Sequence, residues 1–117
     1  MPGPRSRPHP DRPFAVVVRS EPTPPGARST AALSGALDVT GVGGLWAVLD
    51  DLHGHGHRHV VLDLSDLDFL DAAGLGVLVR ADARFRSTGA RLVLTGLRPA
   101  QLRLLELTGL DRRLDVG

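Results

Sequence analysis

Val60-Val61-Leu62-Asp63-Leu64-Ser65-Asp66-Leu67-Asp68-Phe69-Leu70-Asp71-Ala72-Ala73-Gly74-Leu75-Gly76-Val77-Leu78-Val79 is the stretch on which the fold turns. An apolar run over Val60–Leu64 reads as a strand, gives way to an acid-rich turn, and is followed by a helix that begins behind Asp71. The near-continuous hydrophobicity of that run predicts a central strand covered on both faces. Asp71 is placed to cap the helix, its carboxylate accepting an amide hydrogen of the first turn and favouring the positive end of the dipole.

Downstream, Leu75, Leu78, Ala81 and Phe85 recur at inward spacing while Arg80, Arg84 and Arg86 point outward, so the helix runs to about Thr88 before Gly89 ends it. Arg91–Thr95 reads as another strand. Pro99 suits the first turn of a third helix, with Leu102 and Leu105 as its buried contacts and Gly109 as its stop. Leu114–Val116 supplies a terminal strand.

Upstream, Phe14–Arg19 is a β-prone run closed by the proline-rich turn Glu21–Gly26. Ser29–Leu37 reads as a second strand that tolerates Gly35, with a bulge expected there, and the two strands as a hairpin. Thr40 offers an N-cap hydroxyl to a helix whose stripe is Leu45, Val48, Leu49 and Leu52. The resulting order, β-β-α-β-α-β-α, is that of one α/β domain with a mixed central sheet, the later strands parallel through right-handed crossovers.

The chain has 117 residues, enough for one compact core over residues 14–117 and no second domain. Residues 1–13 carry five prolines among arginines and read as a disordered leader, or as a stretch upstream of the true start codon. All 14 basic residues are arginine, and Lys, Ile, Asn and Tyr are absent, the bias expected from a high-GC bacterial genome. Without lysine there is no Schiff-base chemistry and no lysine-bearing phosphate loop. Without cysteine there is no disulfide, thiol nucleophile or cysteine-bound zinc.

Beyond the leader the charges nearly cancel, 11 arginines against 12 acids, and the whole chain has three Phe and one Trp. A nucleic-acid surface needs a basic face and stacking rings, so direct nucleic-acid binding is disfavoured. No stretch approaches the ~20 apolar residues of a membrane span, and no apolar signal-peptide core is present, so a cytoplasmic location is expected.

The acids Asp63, Asp66, Asp68 and Asp71 gather near one strand end, where α/β domains often bind ligands. Against an enzyme stand the missing lysine, the lack of a Ser-His pair and the lack of convergent donors. Gly41-Val42-Gly43-Gly44 fits neither phosphate-binding glycine pattern and reads as a flexible loop. His53, His55, His57 and His59 alternate with Gly54, Gly56 and Arg58, a solvated helix-to-strand loop rather than a metal site. No cofactor and no metal are expected.

The segment Asp63–Leu78 resembles the signature of STAS domains, the family of bacterial anti-sigma factor antagonists. Leu33-Ser34-Gly35-Ala36-Leu37-Asp38 resembles the family's second strand and its Gly-x-x-Asp ending. Gly89–Leu94 and Leu102–Leu114 resemble its last strand and helix. The chain differs at Ala36, where the family often has an acid, and at the glycine cluster 41–44.

The resemblance implies a non-enzymatic module that binds a kinase-like anti-sigma factor and so releases a sigma factor. It also leaves room for an adaptor, or for a soluble subunit of a signalling assembly or of a lipid or anion transport system. By resemblance the partner surface is carried by Asp38, Asp71, Ala72, Ala73 and Gly74, with the Leu75 side chain joining the two alanine methyls in a small apolar knob. Phosphorylated members take phosphate on the serine that follows the aspartate. That position is Ala72 here, and Ala73 has no hydroxyl either. A phosphate would add up to about two negative charges at a docking surface. Its absence predicts constitutive binding or control by another route, and Ser65, at the strand exit, does not inherit the role.

Overall fold

The computed structural model describes residues 13–20 and 28–117. The leader, apart from Pro13, and the turn Glu21–Gly26 lie outside the described residues.

β1 (Ala15–Ser20) and β2 (Arg28–Leu37) form the expected antiparallel pair, Val17 opposite Ala32. β3 (His59–Leu70), β4 (Arg91–Thr95) and β5 (Asp115–Val116) follow in sequence order, each parallel to its predecessor. Three helices, α1 (Val42–Gly54), α2 (Ala72–Ser87) and α3 (Pro99–Thr108), connect the parallel strands. A five-stranded mixed sheet with three helices is the α/β architecture read from the sequence.

β3 departs from the sequence reading. It is twelve residues long, so the stretch expected to be a turn is strand as far as Leu70. β2 supplies the reason, since its ladder continues through Ser34↔Asp66, Gly35↔Leu67, Ala36↔Phe69 and Leu37↔Leu70. The register slips between Ala32 and Ser34 and again between Gly35 and Ala36, each time with one extra residue on β3. A bulge of this kind reverses the inward–outward alternation. Leu62, Leu64 and Leu67 are therefore all fully buried although their spacing is not uniformly even.

Cover on both faces is not found. Val60, Leu62 and Leu64 are sealed, while Val61 and Asp63 on the opposite face are only half-buried. The core lies on one side of the sheet, where Leu45 and Leu49 of α1, Leu78, Ala81 and Phe85 of α2, and Leu105 of α3 meet Leu33, Leu37, Leu92 and Leu94.

Helix boundaries follow local chemistry. Gly89 and Gly109 sit at φ 78° and 76°, a left-handed conformation that glycine adopts without the Cβ penalty, and they end α2 and α3. Pro99 opens α3 as expected. Thr40 does not cap α1: its hydroxyl is taken by Asp38, and the N-cap is Gly41, with no side-chain cap. Gly43 and Gly44, read as loop, lie inside the first turn of α1.

Candidate functional site

Asp71 does what its position promised. Its backbone is extended, its Oδ1 accepts the Gly74 amide at 3.1 Å, and its carbonyl accepts the Leu75 amide at 2.9 Å. Ala72, the first residue of α2, is exposed, and Ala73 is half-buried.

Gly74 explains why the helix start lies against the β2 exit. A β-carbon there would stand 2.7 Å from Leu70 Cδ1 and 3.0 Å from both Leu37 Cγ and the Leu37 carbonyl oxygen. Only a bare backbone fits. The same close approach sets the loop after Leu37, with Asp38 and the 72%-exposed Val39, beside the start of α2.

That loop is held from within. Asp38 Oδ1 accepts the Thr40 hydroxyl at 2.7 Å and the Thr40 amide at 2.9 Å, and its carbonyl accepts the Gly41 and Val42 amides at 3.0 and 3.2 Å. The Thr40 hydroxyl and amide hold the Asp38 carboxyl below its ordinary pKa. The turn therefore presents a fixed negative charge. Gly41 also matters, because its bare α-carbon lets Phe14 close over it; a β-carbon would meet Phe14 Cβ at 3.0 Å.

Two of the residues expected at the partner surface face inward. Gly74 is buried, and Leu75, 6% exposed, belongs to the core and not to an exposed knob. Its flank still borders a concavity of about 630 Å³ that opens over α2. Gly76, Val79 and Arg80 of α2, with Val42, Thr108 and Leu110 from its neighbours, also line this concavity, and sequence reasoning gave none of them a part. The alternation of Ala72 with Gly76 one turn on was the available signal.

Ser65 is engaged elsewhere, its hydroxyl donating to Asp63 Oδ1 at 2.7 Å. The Ser65 amide and hydroxyl keep the Asp63 carboxyl below its ordinary pKa. The histidines diverge: His53 Nε2 meets the Thr88 hydroxyl at 2.8 Å, His55 Nδ1 meets the Asp51 carbonyl at 2.8 Å, and His57 Nδ1 meets Ser29 Oγ. The last contact corrects one expectation, since a Ser-His pair does exist. Ser29 is 1% exposed and its other neighbour is the Ser20 hydroxyl, so the pair ties strand ends to a loop rather than facing open space. No helix among the described residues is long and apolar enough to cross a membrane.

Residues 23–116 match the family described as "Mlab, STAS domain". The chain belongs to the STAS domain family. Relatives of this STAS domain include an anti-sigma-B factor antagonist of Listeria monocytogenes, 38% identical over 55 residues that make up 47% of the chain and 48% of the relative. The matched part thus spans about half of that relative. BtrV of Bordetella bronchiseptica, whose name places it among anti-sigma factor antagonists, is 34% identical over 79 residues, 68% of each protein. The fold matches the crystal structure of an anti-sigma factor antagonist from Mycobacterium paratuberculosis with a TM-score of 0.72, at 23% identity, over 89% of this chain and 85% of the other.

Proposed function

We propose that this STAS domain is an anti-sigma factor antagonist: a non-enzymatic cytoplasmic protein that docks on a kinase-like anti-sigma factor and so frees a sigma factor. The docking surface is the start of α2, Asp71 to Ala73, with Asp38 and Val39 of the adjoining turn. Gly74 and Leu75 position that surface from beneath. The observation that carries this reading is the exposed Ala72 at the first helical position, set beside a rigid acidic turn by the Gly74–Leu37 contact.

With alanine at both positions 72 and 73, the partner's kinase activity has no hydroxyl to modify at this helix start. Binding is constitutive or is regulated elsewhere. The test is binding of purified kinase-like anti-sigma factors to wild type, Ala72→Glu and Ala72→Ser. Glu at an exposed first-turn position suits the helix dipole and leaves the fold intact. It adds charge to the contact surface, and a loss of affinity of about tenfold or more is expected. Ala72→Ser is expected to gain phosphate from the partner. Unchanged affinity in Ala72→Glu overturns the surface, and association with a membrane transport component alone favours the adaptor role.

A further inference from the structure

α2 carries three arginines, and two are satisfied internally. Arg84 Nε pairs with Asp50 at 3.0 Å, and Arg86 with Asp82 at 2.7 Å and with Asp115 at 3.3 Å. Arg80 is different. It lies over the Trp46 ring, 5.3 Å from guanidinium carbon to centroid, and forms no ion pair among the described residues. A ring face under a guanidinium fixes its plane and leaves the N–H edge free for an incoming carboxylate.

Arg80 stands at one flank of the concavity over α2. At about 100° per residue, Ala73, Val77 and Arg80 fall on one side of Gly76 and Leu75 and Val79 on the other. The depression thus straddles the helix as a saddle, and Val42, Thr108 and Leu110 from the neighbouring elements complete its lining. Its floor is Gly76, where a β-carbon would meet nothing within 4 Å. Ala72, one turn earlier, continues the low ridge into the docking surface proposed above.

We infer that this saddle receives an amphipathic helix of the protein partner, crossing α2 at Ala72 and Gly76 and carrying a carboxylate that meets Arg80. The inference rests on the docking role of the α2 start. Small residues let a second helix come closer than the usual 8–10 Å between axes, and the apolar flanks take its larger side chains. Arg80 then sets orientation: a basic side chain at the same place on the visitor is repelled.

Two synthetic helical peptides with the same Ala/Leu face test this, one with Glu and one with Lys in the last turn, measured by fluorescence polarisation against the whole chain. The Glu peptide is expected to bind wild type about fivefold more tightly, as one partly exposed ion pair allows, and Arg80→Glu to reverse the order. Gly76→Leu fills the saddle from its floor without touching the core and is expected to weaken both peptides by about tenfold or more, with an undiminished thermal midpoint. Indifference to Gly76→Leu, no preference between the peptides, no peptide binding, or binding of dodecanoate in place of both peptides overturns the inference. If Ala72→Glu abolishes anti-sigma factor binding while Gly76→Leu and Arg80→Glu leave it unaltered, the docking surface stands and the helix in the saddle does not.

Discussion

The α-carbon of Gly74 packs so closely on Leu37 that a single methyl group would lie 3.0 Å from both its Cγ and its carbonyl oxygen. One glycine thereby couples the first turn of α2 to the end of β2, and the turn that holds Asp38 to the helix start.

Gly74→Ala and Gly76→Ala are expected to move stability in opposite directions. At position 74 the new methyl must displace Leu70 Cδ1, 2.7 Å away, and backbone that does not yield. The cost of overpacking, about 1–3 kcal/mol, exceeds the gain of up to about 1 kcal/mol in helix propensity. At position 76 only the gain applies, because beyond its own stretch of helix backbone a β-carbon would meet nothing within 4 Å. Urea denaturation of the two variants checks the signs.

Removing the helix cap is a milder change. Asp71→Ala is expected to destabilise by about 1 kcal/mol and Asp71→Asn by much less, because the amide oxygen still accepts the Gly74 N–H. Equal midpoints for the two variants in thermal unfolding contradict the cap.

Acid sensitivity follows from Asp38 and Asp63, whose pKa values are both lowered from 3.8 by bonds to Thr40 and Ser65 respectively. A lowered carboxyl pKa contributes stability that is fully present above 3.8 and is lost as pH falls through the folded value. The double variant Asp38→Asn, Asp63→Asn should show a flatter stability profile below pH 3.8 and no change in its slope at neutral pH. Stability measured by urea denaturation at a series of pH values gives the comparison.

Arg86→Gln should lower the thermal midpoint further than Arg84→Gln. Asp82 is 5% exposed and its Oδ1 has no hydrogen-bond partner among the described residues, so Arg86 is the group that compensates its charge, whereas Asp50 beside Arg84 has access to solvent. Removing the half-exposed Arg86 leaves the buried Asp82 carboxylate without its counter-charge. Replacing Asp82 and Arg86 together with apolar residues should recover part of the loss.

Much of this architecture was legible because the relevant signals are local. Apolar periodicity gave the order of elements, Asp71 and Pro99 marked helix starts, and Gly89 and Gly109 marked stops. The length of β3 was not legible, since a ladder with β2 overrides the acidic character of Ser65–Leu70. Thr40 looked like a cap because nothing in the sequence shows that its hydroxyl turns back to donate to Asp38 while the helix starts one residue later, behind Gly41. Leu75 shows two lines of reasoning in conflict: its helical spacing with Leu78 placed it inward, its grouping with the alanine methyls in an apolar knob placed it on the surface, and the core won. The open face of the sheet escaped notice because Val61 reads as core from its neighbours alone. Arg80 could not be told from Arg84 or Arg86 until Asp50, Asp82 and Asp115 were placed in space.

The paired slips in β3 make that strand sensitive to parity. Each one inverts which side of the ribbon a residue occupies, so two in succession restore the original sense by Leu70. Each slip is one residue more on β3 than on β2, so deleting one residue at a slip would return the ladder to one-to-one pairing and keep everything from there to the helix start on its present side, whereas a deletion away from the slips would turn it over. The two slips are thus the places in this strand where a residue can be lost without turning Asp71 and Ala72 to the other side.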